Sequence, residues 1–252
     1  MPAVSVIMPV RDGARFLEAA VRSVLGQTFR DFELILWDDG STDATPGMAD
    51  ALGAADTRVR VFHGPPRGVA VAMKEAHAHA SGRYVGWVDA DDVVQPTLLE
   101  ETVAVLDAEP AVGVVYTDHV IMDAEGRGLG VGTRSGIPYS KERLLVDFMC
   151  FHFRLFRRAC FDAAGGINAS YATAHDYDFC LRMSEVCEMR RLPRALYGYR
   201  MHDGAISSGR RIEQIESSAR AIREALSRRG MDATHELTVE IVGRYGLRRK
   251  GG

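Results

Sequence analysis

The sequence predicts an α/β fold: a mostly parallel central sheet flanked by helices, followed by a helical C-terminal extension. Three observations carry that expectation. Apolar, β-rich runs alternate with amphipathic segments from residue 4 to about 123, and such alternation builds parallel sheets with right-handed crossovers. Two of the runs end in clustered aspartates, at the strand ends where ligands gather in such sheets. From residue 209 the pattern changes to apolar residues three and four apart, the spacing of a helix seam.

The elements follow in order. VSVIMPV (4–10) reads as a buried strand. In DGARFLEAAVRSVLGQT (12–28), Phe16, Leu17, Ala20, Val21, Val24 and Leu25 recur at helical spacing. DFELILWDDGSTD is a second strand running into acids and a turn, and TPGMADALGAA is a short helix with Pro46 near its start. VRVFHG is a third strand, GVAVAMKEAHAHASG a helix closed by Gly82, and RYVGWVDADD a fourth strand. QPTLLEETVAVLDAEP reads as a helix and AVGVVYTDHVIMD as a fifth strand. Beyond residue 125 the alternation loosens: EGRGLGVGTRSGIPYS reads as a loop or hairpin, HDYDFCLRMSEV as a helix, and RRLPRALYGYRMHDGAISS as a strand and then a loop. Ile212, Ile215, Ala219, Ile222 and Leu226 form the seam of the last helix, with six arginines on its other faces. No internal repeat or low-complexity linker divides the chain. The expected organisation is one catalytic domain over residues 1–208, with halves at about 1–125 and 126–208, and a helical extension over 209–252.

Composition narrows the function. The 252 residues are 46% hydrophobic and 26% charged, enough for one sizeable core. A net charge of -3 gives no global signal for nucleic acid. Cys150, Cys160, Cys180 and Cys187 lack CxxC spacing and read as free thiols of a reducing compartment. The chain opens on a strand without signal-peptide character, and no apolar run approaches the roughly 20 residues of a membrane span. A cytoplasmic protein is expected, with peripheral contact at the inner face of a membrane left open. GxGxxG after the first strand and GxxxxGK[ST] are both absent, which argues against NAD-binding and P-loop readings.

The acids are the chemical signal. Asp43 precedes a helix and reads as a cap. In VDADD, Asp89 and Asp91 lie two apart and point the same way if the strand continues; converging carboxylates repel unless a hard divalent cation, Mg2+ or Mn2+, joins them. His175, Asp176 and Asp178 stand at a helix start, where acids complement the dipole, a role that suits Asp178 better than Asp176. Arg67, Gly68 and Lys74 stand near a helix start where a phosphate can sit.

Together these pieces resemble the family 2 inverting glycosyltransferases with the GT-A fold. The likeness begins in residues 4–43, continues through GRYVGWVDADD, AHDYDFCLR and YRMHDGAISS, and spans roughly residues 3–210. Four motifs in order at family-like spacing make it specific. The resemblance implies that Asp39 bonds the nucleotide base and that Pro9, Val10 and Arg11, with Asp12 beside them, line base and ribose. Asp89, Ala90 and Asp91 match the family's DxD motif, Asp91 as principal metal ligand and Asp89 toward the ribose or the metal shell. Asp176 matches the catalytic base, and His202 a histidine that reaches the metal or the diphosphate. The chain departs from the family at Arg11, Asp12, Lys74 and His175, where Tyr, Asn, Asn and Glu are common. The first two leave the choice of nucleotide open; Lys74 adds a candidate diphosphate contact, joined by Arg67.

The implied activity is metal-dependent transfer, with inversion, from a UDP-sugar to a hydroxyl of a glycan or lipid-linked acceptor, in cell-surface polysaccharide or glycoconjugate synthesis. A GDP- or dTDP-sugar donor, and a nucleotide-sugar-binding protein without turnover, are the competing readings. His152, Phe153, His175 and Arg200 are candidates for the sugar and acceptor side. Arg154, Arg157 and Arg158 are candidates for an anionic lipid acceptor, and the last helix for a packed or dimeric seam.

Overall fold

A computed structural model describes residues 1–202 and 211–241. Nine strands form one sheet: β1 (Val4–Val10), β2 (Phe32–Asp39), β3 (Val59–Gly64), β4 (Tyr84–Trp87), β5 (Val93–Val94), β6 (Val112–Met122), β7 (Gly128–Val131), β8 (Arg154–Arg157) and β9 (Glu188–Arg200). Seven helices are described: α1 (Leu17–Leu25), α2 (Thr45–Ala55), α3 (Val69–His77), α4 (Leu98–Ala108), α5 (Arg158–Ala163), α6 (His175–Val186) and α7 (Arg211–Arg228).

The strands lie in the order β3-β2-β1-β4-β8-β6-β9-β5, with β7 on β6. The first four run parallel. The second half is mixed: β8 inserts antiparallel between β4 and β6, β6 and β9 run parallel, β5 pairs antiparallel with β9, and β7 pairs antiparallel with β6. The boundary expected near residue 125 therefore falls at the β6–β7 connection, inside a continuous sheet. Both faces are covered, which is why β1 and β2 are apolar along nearly their whole length. Val6, Met8, Leu34 and Leu36 pack toward α1, α2 and α4; Ile7, Ile35 and Trp37 pack toward α3, α6 and α7. Only part of the expected α7 seam packs on that second layer: Ala219 and Leu226 are buried with Ala221 and Ala225 while Ile212 is exposed, Tyr171 Oη donates to Glu224, and Arg228 pairs with Glu185. No helix among the described residues is long and apolar enough to cross a membrane.

Three expected boundaries move, each for a local reason. α1 starts at Leu17 because the preceding loop is tied elsewhere: Asp12, at φ 49°, donates its N–H to Ser41 Oγ and accepts from Thr42 N–H. α3 ends at His77, and Gly82 is no helix cap. It presses on β1, where a Cβ would stand 2.6 Å from Ser5 N and 2.7 Å from Val4 C. β4 stops at Trp87, so the VDADD acids sit on a turn, closed by the Asp92 N–H to Asp89 carbonyl bond, rather than on a continuing strand.

A buried polar knot fastens the opposite end of the sheet. Glu33 accepts from Ser5 Oγ, Ser81 N–H, Ser81 Oγ and Arg60 at 2.7–2.8 Å. Burial raises the Glu33 carboxyl, and the hydrogen bonds from Ser81, Arg60 and Ser5 more than reverse that, so its pKa falls below the ordinary 4.5.

Two predictions follow from this packing. Gly82→Ala forces a methyl into rigid β1 backbone and should lower stability by about 1–3 kcal/mol, read as a fall in the denaturation midpoint; an unchanged midpoint refutes the contact. A carboxyl depressed on folding stabilises above its unfolded pKa, and that contribution is lost as pH falls through the folded pKa. Glu33→Gln should therefore destabilise near pH 7, and its deficit should shrink steadily below about pH 4.5. A deficit constant from pH 7 to pH 3 would contradict it.

Candidate active site

The carboxyl ends of β1, β2 and β4 share one edge of the sheet, since the three strands are parallel. At the end of β2, Asp38 and Asp39 point to opposite sides, as neighbours on a strand do. Asp38 is structural: it accepts Ser41 N–H and pairs with His63, whose other ring nitrogen meets Asp50. Burial raises its pKa and the bonds to His63 and Ser41 bring it below the usual value. Asp39 is buried and accepts the backbone N–H groups of Arg67 and Gly68, both at 2.8 Å. It fixes the loop that opens α3, where Gly68 takes φ 88°. Pro9 and Val10 pair with Trp37 and Asp38 across from it, and the Arg11 side chain is exposed beside Asp12.

The turn after β4 is the centre of the site. Asp92 is buried, and its Oδ1 accepts the N–H of Arg200 at 2.7 Å. Tyr197 Oη accepts the N–H of Asp89 at 3.1 Å. Arg200 reaches back, its Nε donating to the Asp91 carbonyl at 2.7 Å and its Nη1 to Ala124, while its guanidinium lies over the Phe16 ring. The end of β9 is thereby tied to the acidic turn, and two residues later His202 Nε2 stands 2.9 Å from Asp91 Oδ2. Burial and the neighbouring Asp91 push the Asp89 carboxyl well above the carboxylate range; burial, Asp89 and Asp91 do the same to Asp92.

Asp176 arrives from α6. Ala174, at φ 57°, turns the chain so that His175 and Asp176 open the helix. Asp176 Oδ1 accepts the N–H of Tyr177 at 2.9 Å, and its charge is felt at Asp89. The helix N-terminus favours a carboxylate there. Asp178, the better capping candidate, is fully buried and paired with Arg182 at 2.7 Å. His175 lies beneath, and burial lowers its pKa.

The structure thus gathers Asp89, Ala90, Asp91, Asp176, His175 and His202, with Asp39 on the same sheet edge two strands from β4, about 10 Å at ordinary strand spacing. Other expectations need correction. Lys74 lines a separate cavity of about 340 Å³ with His77, Arg158 and Phe161, and no acid named above lines that cavity. Arg67 directs its guanidinium to Glu75, and only its N–H serves Asp39. Phe153 is core, filling the space over Gly86, where a Cβ would lie 2.4 Å from its ring. Arg200 braces the acidic turn and is too buried to hold a sugar. Arg157 and Arg158 spend their guanidinium groups on the backbone carbonyls of Val112, Leu106 and Gly82, and Arg154 is buried. None of the three presents a lipid-binding surface.

Sequence reasoning overlooked Asp92, Tyr197 and a ring cluster beside the acids. His152 stacks on Tyr197 at 4.6 Å and 3°, and Phe151, His119 and Tyr199 surround it. Alternation along RALYGYR could have put Tyr197 and Tyr199 on one face of a strand.

The donors fit a divalent cation. Asp89, Asp92 and His152 each offer a ligand atom within 4.8 Å of the others, and Asp91, between the two acids in sequence, meets His202 at 2.9 Å. Burial and mutual repulsion raise Asp89 and Asp92, and a divalent cation among these carboxylates would relieve the repulsion.

Comparison with known proteins agrees with this geometry. The model of the family "Glycosyl transferase family 2" matches residues 5–165. Chondroitin synthase of Escherichia coli is 31% identical over 231 residues, which are 92% of this chain and 34% of that protein. Hyaluronan synthase of Pasteurella multocida is 29% identical over 92% of this chain and 24% of that protein. The chain therefore spans about a quarter to a third of those relatives. Among solved structures, S. aureus TarS 1-349 in complex with UDP-GlcNAc superposes with a TM-score of 0.71 at 20% identity, over 88% of this chain and 66% of that one. Mannosyltransferase PcManGT of Pyrobaculum calidifontis, in complex with GDP-Man and Mn2+, gives 0.70 at 21% identity, over 90% and 64%. These two show a shared fold. With the family model covering well over half its length, and with acids and histidine converging at one sheet edge, the chain belongs to glycosyl transferase family 2.

Proposed function

We propose that the chain moves a sugar, with inversion, from a nucleoside-diphosphate sugar to a hydroxyl of a glycan or lipid-linked acceptor, in the synthesis of a cell-surface polysaccharide or glycoconjugate. UDP is the favoured nucleotide. The observation that carries the reading is convergence: the Asp91–His202 pair, the Asp89 carboxyl and the Asp176 carboxyl come from three segments to one place. Names of relatives support it, since chondroitin and hyaluronan synthases are polymer-forming enzymes.

Each residue has a task. Asp39 and the loop after β1 hold the base and ribose. Asp91 and His202 would hold Mg2+ or Mn2+, with Asp89 beside them. Bound there, the cation would stabilise the charge that the leaving diphosphate acquires. Asp176 takes the proton of the acceptor hydroxyl as it attacks the anomeric carbon from the side opposite the diphosphate. With one base and no protein nucleophile, displacement is direct and the configuration inverts. His152 and the surrounding rings offer faces for sugar. On this reading the chain works in the cytoplasm. GDP is the second reading, favoured by the departures at Arg11 and Asp12 and by the fold shared with a GDP-Man complex.

Calorimetry should show UDP binding that strengthens with Mn2+, and Asp91→Ala should weaken metal-dependent binding about 10- to 100-fold. Binding indifferent to Mn2+ would sink the metal role, and tighter binding of GDP than UDP in competition would change the donor. Asp176→Asn should cut transfer or donor hydrolysis by about 10²- to 10⁴-fold while leaving UDP–Mn2+ affinity in place. Wild-type turnover in that variant would remove the base assignment.

A further inference from the structure

Arg154 is placed where a surface arginine is not. It stands on β8, in the middle of the sheet, 5% exposed. Its guanidinium lies over Trp87 at 5.5 Å and Phe148 at 5.7 Å, so its orientation is fixed by packing. Nη1 donates to the Cys150 carbonyl at 2.7 Å and stands 3.7 Å from Asp176 Oδ2. Nε is buried without a hydrogen-bond partner. The charge of Arg154 is also felt at Asp89. A buried cation is costly unless charges of opposite sign face it, and the acids that face this one are those of the site.

The distances assign the two oxygens of Asp176 different work. Oδ1 is held by the Tyr177 N–H at 2.9 Å. Oδ2 is attracted by Arg154 at 3.7 Å, beyond hydrogen-bonding reach. Its lone pairs remain available to accept a proton, while the carboxylate as a whole is held by an amide on one side and a clamped cation on the other.

We propose that Arg154 is a positioning residue for the transfer step: its clamped guanidinium holds the Asp176 carboxylate toward the Asp89–Asp91 turn and offsets the negative charge gathered there. The inference rests on the reading of Asp176 as the base. It assigns Arg154 no contact with donor or acceptor, so its effect belongs in kcat rather than in donor binding.

The test is a double-variant cycle with Arg154→Met, Arg154→Lys and Asp176→Asn. The substrate is whichever sugar nucleotide the wild-type chain hydrolyses fastest from a panel of UDP-, GDP- and dTDP-sugars. Arg154→Met should lower kcat about 100-fold with donor KM and Mn2+-dependent nucleotide affinity within about threefold, and Arg154→Lys should restore about tenfold of that loss. In the Asp176→Asn background the same Arg154→Met change should cost less than about threefold, because nothing remains to position. An equal loss in both backgrounds, or a donor KM rising in step with the loss of kcat, overturns the proposal while leaving the base assignment standing. Full activity of Asp176→Asn alone overturns both. If Arg154→Met does not fold, recovery of a melting transition in Asp176→Asn/Arg154→Met supports the pairing, and failure of both variants to fold overturns it.

Discussion

The bond from the Arg200 N–H to the buried Asp92 carboxylate ties the acidic turn after β4 to the end of β9, and the site depends on that tie. Residues more than a hundred positions apart meet there. Tyr197 and the Arg200 side chain reinforce it from the same strand. Once β9 is docked, His202 has little choice but to face Asp91. Without this knot the turn would hold three carboxylates in a half-buried place with only solvent to separate them, an arrangement that costs too much to persist.

Charge balance governs the rest. Asp89 and Asp176 face the buried guanidinium of Arg154, walled by Trp87 and Phe148, and Arg200 braces the turn that carries Asp91 and Asp92. That leaves a surplus of negative charge for a divalent ion to neutralise. The opposite edge of the sheet uses the reverse strategy. Glu33 there is satisfied by two serines and an arginine and asks nothing of a ligand.

The amino-terminal half was readable because its strands are buried on both faces and its helices carry clean apolar stripes. β1 to β3, α2 and α4 fall close to where periodicity put them, while α1, α3 and β4 are shorter than it suggested. The acids were readable as chemistry because VDADD has no economical structural explanation. The second half was harder. β8 joins the sheet antiparallel, and its sequence RLFR does not alternate, since both its arginines turn their guanidinium groups to backbone carbonyls. β5, two residues long, exists only because β9 passes beside it. Residues whose function depends on depth were misread: Arg154 in sequence is indistinguishable from a surface cation, and Phe153 and Arg200 from ligand contacts. Lys74 sits on the expected helix, but only the orientation of α3 shows that it faces α5. Family likeness alone points to Asp176 as the base, while the helix start assigns Asp178 a structural role, which the Asp178–Arg182 pair fills.

The continuity of the sheet constrains how such a catalyst can diverge. β8 is hydrogen-bonded to β4 on one side and to β6 on the other, so the strand bearing Arg154 and the strand feeding the acidic turn are locked in register. The span between the acidic turn and Arg154 is then a strand spacing, inherited from backbone pairing and not from side-chain choice. Descendants of such a scaffold can exchange loops freely, but they cannot stretch that span.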